Sequence, residues 1–197
     1  TVNASEVDDV VAAVKEMNRL GILMDLSHVG DRTTMYTIEN SNGPVAITHA
    51  NARSQIDHPR NKTDEAIRLL AERGGVIGAN AFPMFFERGF DTDLEEYLDA
   101  IDYLVQMVGP DHVGIGTDFC MEQPRSFFEW LFMSQGKIPA TDIPYTPEPY
   151  QHLRGFEDPS DWVKVAEGLL NRNYSASDTK KVLGENWLSL FAQVWSK

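Results

Sequence analysis

Residues 21–61 read GILMDLSHVGDRTTMYTIENSNGPVAITHANARSQIDHPRN. Two short apolar runs, Ile22–Leu26 and Val45–Thr48, each lead into a histidine, His28 and His49. Each run has the length of a buried strand, and the Asp31–Asn40 segment between them reads as a short helix. A strand–helix–strand unit of this kind joins parallel neighbours. The spacing therefore predicts both histidines at the same edge of a parallel sheet, where two imidazoles can share one divalent metal. Arg53 and Arg60, on the loop that follows, are expected within reach of an anion held beside that metal.

Outward from this unit the same alternation continues. Upstream, Ser5 and Asp8 fit a capping box, and Val7, Val10, Val11, Val14, Met17 and Leu20 keep helical spacing up to Gly21. Downstream, Asp31 is expected to cap the helix carrying Met35 and Ile38, and Asn42-Gly43-Pro44 to turn the chain. Thr63 reads as the cap of a helix carrying Ile67, Leu69 and Leu70, followed by a strand at Val76–Asn80. Thr92 and Glu95 suggest a capping box ahead of Leu94, Leu98, Ile101, Val105 and Val108, and Val113–Thr117 is a fourth strand with Asp118 at its exit. From Phe119 to Pro159 the periodicity lapses. Six of the ten prolines (124, 139, 144, 147, 149 and 159) fall there among Phe127, Phe128, Trp130, Phe132 and Tyr145, which predicts an ordered lid or wall containing a short helix. Ser160 and Ser177 read as the starts of two closing helices, the last with Val182, Leu183, Trp187, Leu188, Phe191 and Trp195 on its apolar side.

Four strands, each followed by helix, imply an α/β fold with a parallel sheet covered by helices. The residues with ligand chemistry all fall at strand exits: His28, His49, Asn80 and Asp118. That is the pattern of a (β/α)8 barrel, whose sites lie at the carboxyl face, but a full barrel needs eight strands and about 250 residues. The expectation is half a barrel in a single domain spanning residues 1–197, with an open doubly wound sheet as the alternative.

Bulk properties narrow the function class. At 197 residues the chain can bury a substantial core, and 42% hydrophobic with 24% charged residues is ordinary for a globular domain. A net charge of −13 lacks the basic face that a nucleic-acid binder needs and disfavours anionic membranes. One cysteine, Cys120, forms no internal disulfide, and no apolar run is long enough to span a bilayer. The chain opens on Thr1 rather than methionine. A missing upstream segment is expected, in preference to a processed threonine nucleophile.

A lone histidine at a strand end reads as a satisfied polar cap, but a pair on adjacent strands favours a metal. The pair is one short of the three protein ligands usual at a catalytic zinc. Asp118 follows VGIGT, whose glycines allow close approach to a ligand. It could be a metal ligand, a general acid or base, an acceptor for a substrate ammonium, or a turn aspartate. Arg60 offers a planar fork for a carboxylate. Asp25 reads as a buried structural acid, Cys120 as a buried thiol, and His58, His112 and His152 as solvated.

The blocks MNRLGILMDLSHVGDRT, GPVAITHANAR, HPRNKTDE, LAERGGVIGAN, VGIGTDF and LGENWLSLF resemble, in order and over most of the chain, those of the renal (membrane) dipeptidase family of zinc peptidases. The resemblance implies the C-terminal half, about strands five to eight, of an amidohydrolase-like (β/α)8 barrel. It implies two zinc ions in the intact protein and hydrolysis of dipeptides by a metal-bound hydroxide. His28 and His49 match the two histidines that complete the second zinc site, Arg60 the grip on the substrate's carboxylate, and Asp118 the residue that receives the amine or shuttles the proton. The family's His-x-Asp pair, bridging glutamate and a further substrate-binding histidine belong to an N-terminal half, the expected partner of this chain, with a homodimer a further expected assembly. Asp118-Phe119-Cys120-Met121 stands where the family has Asp-Phe-Asp-Gly, and 122–158 matches no family block. Rival expectations are hydrolysis of another small amide, such as an N-acyl amino acid, or a non-catalytic barrel that binds a partner. A cytoplasmic setting is expected ahead of a periplasmic or extracellular one.

Overall fold

Parallel pairing is the feature that orders the molecule. In the computed structural model, which describes residues 4–132 and 152–195, three strands lie in the order β1 (Ala46–Ile47), β2 (Val76–Asn80), β3 (Val113–Gly116), all parallel. Ile47 sits opposite Ile77, and Asn80 opposite Gly116. Helices α1 (Ala4–Leu20) and α2 (Asp31–Asn40) precede β1, and α3 (Asp64–Glu72) and α4 (Leu94–Val108) link the strands. After β3 come α5 (Arg125–Phe132), α6 (Trp162–Asn171), α7 (Ala176–Lys180) and α8 (Asn186–Trp195). The fold is α/β.

Hydrophobic periodicity accounts for these elements. All five β2 residues are buried, as expected of a strand covered on both faces. On α4 the buried set is Tyr97, Leu98, Ala100, Ile101 and Leu104, a stripe at helical spacing laid on the sheet. Tyr97 is fully buried and its hydroxyl donates to the Ala79 carbonyl at 3.0 Å, so burying the phenol leaves no orphan donor.

The expected first strand, Ile22–Ser27, is reduced to one parallel bridge between Asp25 and Ala46. Two ladder bonds form, Ala46 N–H to Met24 O (2.9 Å) and Leu26 N–H to Ala46 O (2.8 Å). The next donor, Thr48 N–H, is taken by the Asp25 carboxylate at 3.0 Å, and the Ser27 N–H bonds the same oxygen at 3.0 Å. A side chain thus replaces the ladder, which also ends β1 at Ile47.

Several caps lie one or two residues from where the pattern puts them. Gly30, without a side chain to cap, precedes α2, while Asp31 turns away to Arg53. Asp93 and Glu96, not Thr92 and Glu95, form the capping box of α4. Asp158 caps the turn Pro159–Asp161 that leads into α6, in place of Ser160. Ser175, not Ser177, caps α7. Thr63 caps α3 as read, accepting from Ala66 N. Polar residues cluster at helix starts, and backbone geometry selects one among neighbours. The Ser5–Asp8 cap and the segment 133–151 lie outside the described residues or side chains.

A kink at Gly184, whose φ of 172° lies outside the helical region, turns α8 away from the line of α7. Leu188 and Trp195, expected inside, are therefore exposed, and Leu190 is buried instead. Asn186 donates to the Val113 carbonyl (2.7 Å) and Trp187 to that of Ile115 (3.1 Å), so side chains of α8 satisfy β3 carbonyls.

Candidate functional site

Beyond the ends of β1 and of the Asp25 bridge, His28 and His49 converge. Their Nε2 atoms are 2.9 Å apart, with ring centroids at 5.0 Å and planes at 60°. Asp118, at the exit of β3, brings Oδ2 to 4.0 Å from His49 Nε2. Its backbone is in the left-handed region, φ 55°, which aspartate tolerates better than most residues. Arg60 approaches the same nitrogen of His28, with Nη2 at 3.2 Å from Nε2.

The backbone places His49 by close approach. A β-carbon at Gly78 or at Gly116 would overlap the Thr48 carbonyl oxygen. Only glycine on both strands lets the end of β1 fold inward over β2 and β3 and carry His49 toward Asp118. Asn80, with ligand chemistry at its strand exit, does not reach this cluster. It is fully buried and donates from Nδ2 to the His49 carbonyl at 3.3 Å. Asn51 locks Asn80 in turn, donating to its carbonyl (3.1 Å) and accepting from its N–H (3.0 Å).

The two arginines of the loop part company. Arg53 makes a paired contact with Asp31 (2.7 and 2.8 Å) and donates to the Asn61 carbonyl, so it is committed to holding the loop and does not face an anion site. Arg60 donates from Nη1 to the Ser27 carbonyl and lies over the Phe85 ring at 5.2 Å, which leaves part of its fork facing the cluster.

Other expectations are corrected. Asp25 is structural but exposed rather than buried. The carboxylate itself is partly enclosed, which pushes its pKa up, but hydrogen bonds from Ser27 and Thr48 outweigh this and hold it ionised below the usual range. The three histidines read as solvated are engaged. His58 Nδ1 accepts from Arg60 N (3.1 Å), His112 Nδ1 lies 3.0 Å from the Gly75 carbonyl, and buried His152 packs edge-on to Phe119 at 4.6 Å. Cys120 is half-buried, and burial together with Asp118 raises its pKa, which keeps the thiol protonated.

Sequence reasoning also missed Lys62, which is buried and donates from Nζ to the Val29 carbonyl at 2.6 Å. Burial, with Arg60 nearby, pushes its pKa down to about 8. Its bond ties the chain just after His28 to the Arg60 loop. Nothing in the pattern HPRNKT distinguishes it from a surface lysine.

The donor set suits a cation. Burial lowers the pKa of both His28 and His49, and Arg60 lowers both further against the opposing pull of Asp118 and Asp25. Neutral imidazoles are metal ligands. At a metal–nitrogen distance of about 2.05 Å, the Nε2 separation of 2.9 Å corresponds to an angle of about 90° at one ion, within reach of four- or five-coordinate geometry. Among the described residues, no group of three or more His, Cys, Asp or Glu comes together as a complete set.

Comparison with known proteins identifies a family. The family model described as membrane dipeptidase (peptidase family M19) matches residues 11–128. An amidohydrolase structure from Pseudomonas aeruginosa is 34% identical with a TM-score of 0.87, covering 100% of this chain and 58% of that one. A metallopeptidase structure from Rhodobacter sphaeroides, liganded with a phosphinate mimic of the dipeptide L-Ala-D-Ala, is 25% identical with a TM-score of 0.74, covering 94% and 46%. Dipeptidase 3 of Mus musculus is 28% identical over 181 residues, 92% of this chain and 31% of that protein. The matched stretches span between 28% and 41% of the length of such curated relatives.

Proposed function

Because the chain belongs to the membrane dipeptidase family, whose members are metallopeptidases, we propose that the intact protein is a dinuclear zinc dipeptidase. The described chain is the C-terminal half of its (β/α)8 barrel, with the Ile22–Ser27 segment standing as strand five. The parallel order of the strands and the fit to a longer amidohydrolase chain support this layout. His28 and His49 hold one of the two metals, and the remaining ligands come from the part of the barrel that the longer relatives contain. When bound, the metals supply Lewis acidity, polarising the scissile carbonyl and lowering the pKa of water.

The residues of this chain then have separate tasks. Arg60, braced by the Ser27 carbonyl and the Phe85 ring, binds the terminal carboxylate of the dipeptide through its outward N–H groups. Asp118, 4.0 Å from His49, receives the substrate ammonium or passes the proton to the departing amine. The observation that carries the reading is the 2.9 Å convergence of two neutral imidazoles flanked by one arginine and one carboxylate. An L-Ala-D-Ala mimic bound to a related metallopeptidase supports including D-residues at the substrate's carboxyl end.

One observation favours a second reading, in which the substrate is another small amide such as an N-acyl amino acid. Cys120, with its thiol protonated, replaces the second acid of the family motif two residues beyond Asp118. A panel of L,L- and L,D-dipeptides against acylated amino acids, run on the full-length protein with and without chelator, separates the readings. Chelator-sensitive dipeptide hydrolysis that His49→Ala abolishes is the expected result. A protein that binds no zinc and hydrolyses nothing in the panel refutes the assignment, and retained partner binding in His49→Ala would indicate a non-catalytic barrel.

A further inference from the structure

The Asp25 carboxylate is an acceptor for four donors. Oδ1 takes Ser27 N–H (3.0 Å), Ser27 Oγ (2.6 Å) and Thr48 N–H (3.0 Å), and Oδ2 takes the Thr48 hydroxyl (2.7 Å). An ionised carboxylate has no proton to give, and a hydroxyl has one. The Thr48 proton is therefore spent on Asp25, and at its 2.8 Å contact with His49 Nδ1 the threonine oxygen must accept. That places the imidazole proton on Nδ1 and leaves Nε2 with a bare lone pair. Ser27 works in parallel: its proton goes to Asp25 and its oxygen accepts the His49 backbone N–H at 3.0 Å.

Across the gap, a guanidinium can only donate, so the 3.2 Å contact of Arg60 Nη2 makes His28 Nε2 an acceptor as well. Two nitrogens with no proton between them then lie 2.9 Å apart, an arrangement that a cation relieves by taking the His28 lone pair over from Arg60. We propose that Asp25 and Thr48 are positioning residues that fix His49 in its Nδ1–H tautomer and aim its Nε2 lone pair at the cation site. Neither residue touches the cation. The first carries the charge that orients the hydroxyl, and the second passes that orientation to the ring. The proposal rests on the metallopeptidase reading for its consequence, but the tautomer follows from the hydrogen-bond geometry alone.

The test uses the full-length protein, histidine-labelled with nitrogen-15 and stripped of metal, and its Thr48→Val and Thr48→Ser variants. In the wild type the long-range proton–nitrogen pattern of His49 is expected to show Nδ1 protonated. Thr48→Val, which keeps the shape and deletes the hydroxyl, is expected to shift the ring toward the Nε2–H form. It should weaken zinc affinity in a competition titration by about 10- to 100-fold, the usual cost of losing an outer partner of a ligating histidine. Thr48→Ser is expected to restore both. A wild-type His49 found as the Nε2–H tautomer overturns the proposal, whether or not Thr48→Val folds. Unchanged tautomer and unchanged affinity in Thr48→Val overturn it equally. Wild-type protein that binds no zinc refutes the metallopeptidase reading instead, and the tautomer measurement still decides this one.

Discussion

Gly116→Ala tests how the strands aim the site. A β-carbon there would overlap the Thr48 carbonyl oxygen, which is backbone and cannot rotate aside. Non-bonded heavy atoms settle near ~3.5 Å, so relieving the overlap displaces the end of β1 by on the order of 1 Å. His49 is the next residue and moves with it. The same shift strains the bonds from Thr48 to Asp25 at 3.0 and 2.7 Å. Overpacking of this kind costs about 1–3 kcal/mol of stability. A displacement of about 1 Å at a positioned group costs ~100-fold in rate. Full-length Gly116→Ala should therefore lose about 1–3 kcal/mol in urea denaturation and about 100-fold in kcat/KM, with weaker zinc binding. Gly43→Ala is the control: a β-carbon there meets only Asn18 Oδ1 at 3.7 Å, an ordinary contact. A Gly116→Ala protein with wild-type kcat/KM and zinc affinity would refute the claim that close approach of Thr48 positions His49.

Tyr97→Phe deletes the hydroxyl's bond to the Ala79 carbonyl and should cost about 0.5–1.5 kcal/mol in chemical denaturation while leaving kcat and KM unchanged. Arg60→Lys keeps the charge but loses the planar fork held by the Ser27 carbonyl, so KM for dipeptides should rise at least tenfold, more than kcat falls. Lys62 has a folded-state pKa of about 8 against an ordinary 10.5. The unfolded chain therefore binds more protons between pH 8 and 10.5, and stability must rise with pH across that window. The gain of wild type over Lys62→Met should increase from pH 8 to 10 by on the order of 2–3 kcal/mol in urea denaturation; no such trend would place the ammonium in water.

The strand–helix–strand pattern was legible because it depends on local periodicity. Apolar runs bounded by Gly, Pro and Asn marked β2 and β3 to within a residue, and carried both histidines to one sheet edge. The pattern failed where side chains compete with backbone for the same bonds. Asp25 takes the Thr48 N–H that a ladder would have used, so the first strand shrinks to a bridge. Caps slipped by a residue or two for the same reason, since Thr92 and Asp93, or Ser175 and Ser177, are equally polar on paper.

From the amino-acid order alone came the α/β class, the shared edge for His28 and His49, and the family resemblance, all properties of spacing along one chain. Which arginine faces the site, that Asp118 approaches His49, and that Asp25 reaches His49 through Thr48 were decided only in three dimensions. Arg53 and Arg60 sit in one loop with the same chemistry, and only the nearness of Asp31 occupies the first and leaves the second. Partner choice among polar groups depends on distances between segments far apart in the chain, and those distances exist only once the core has packed.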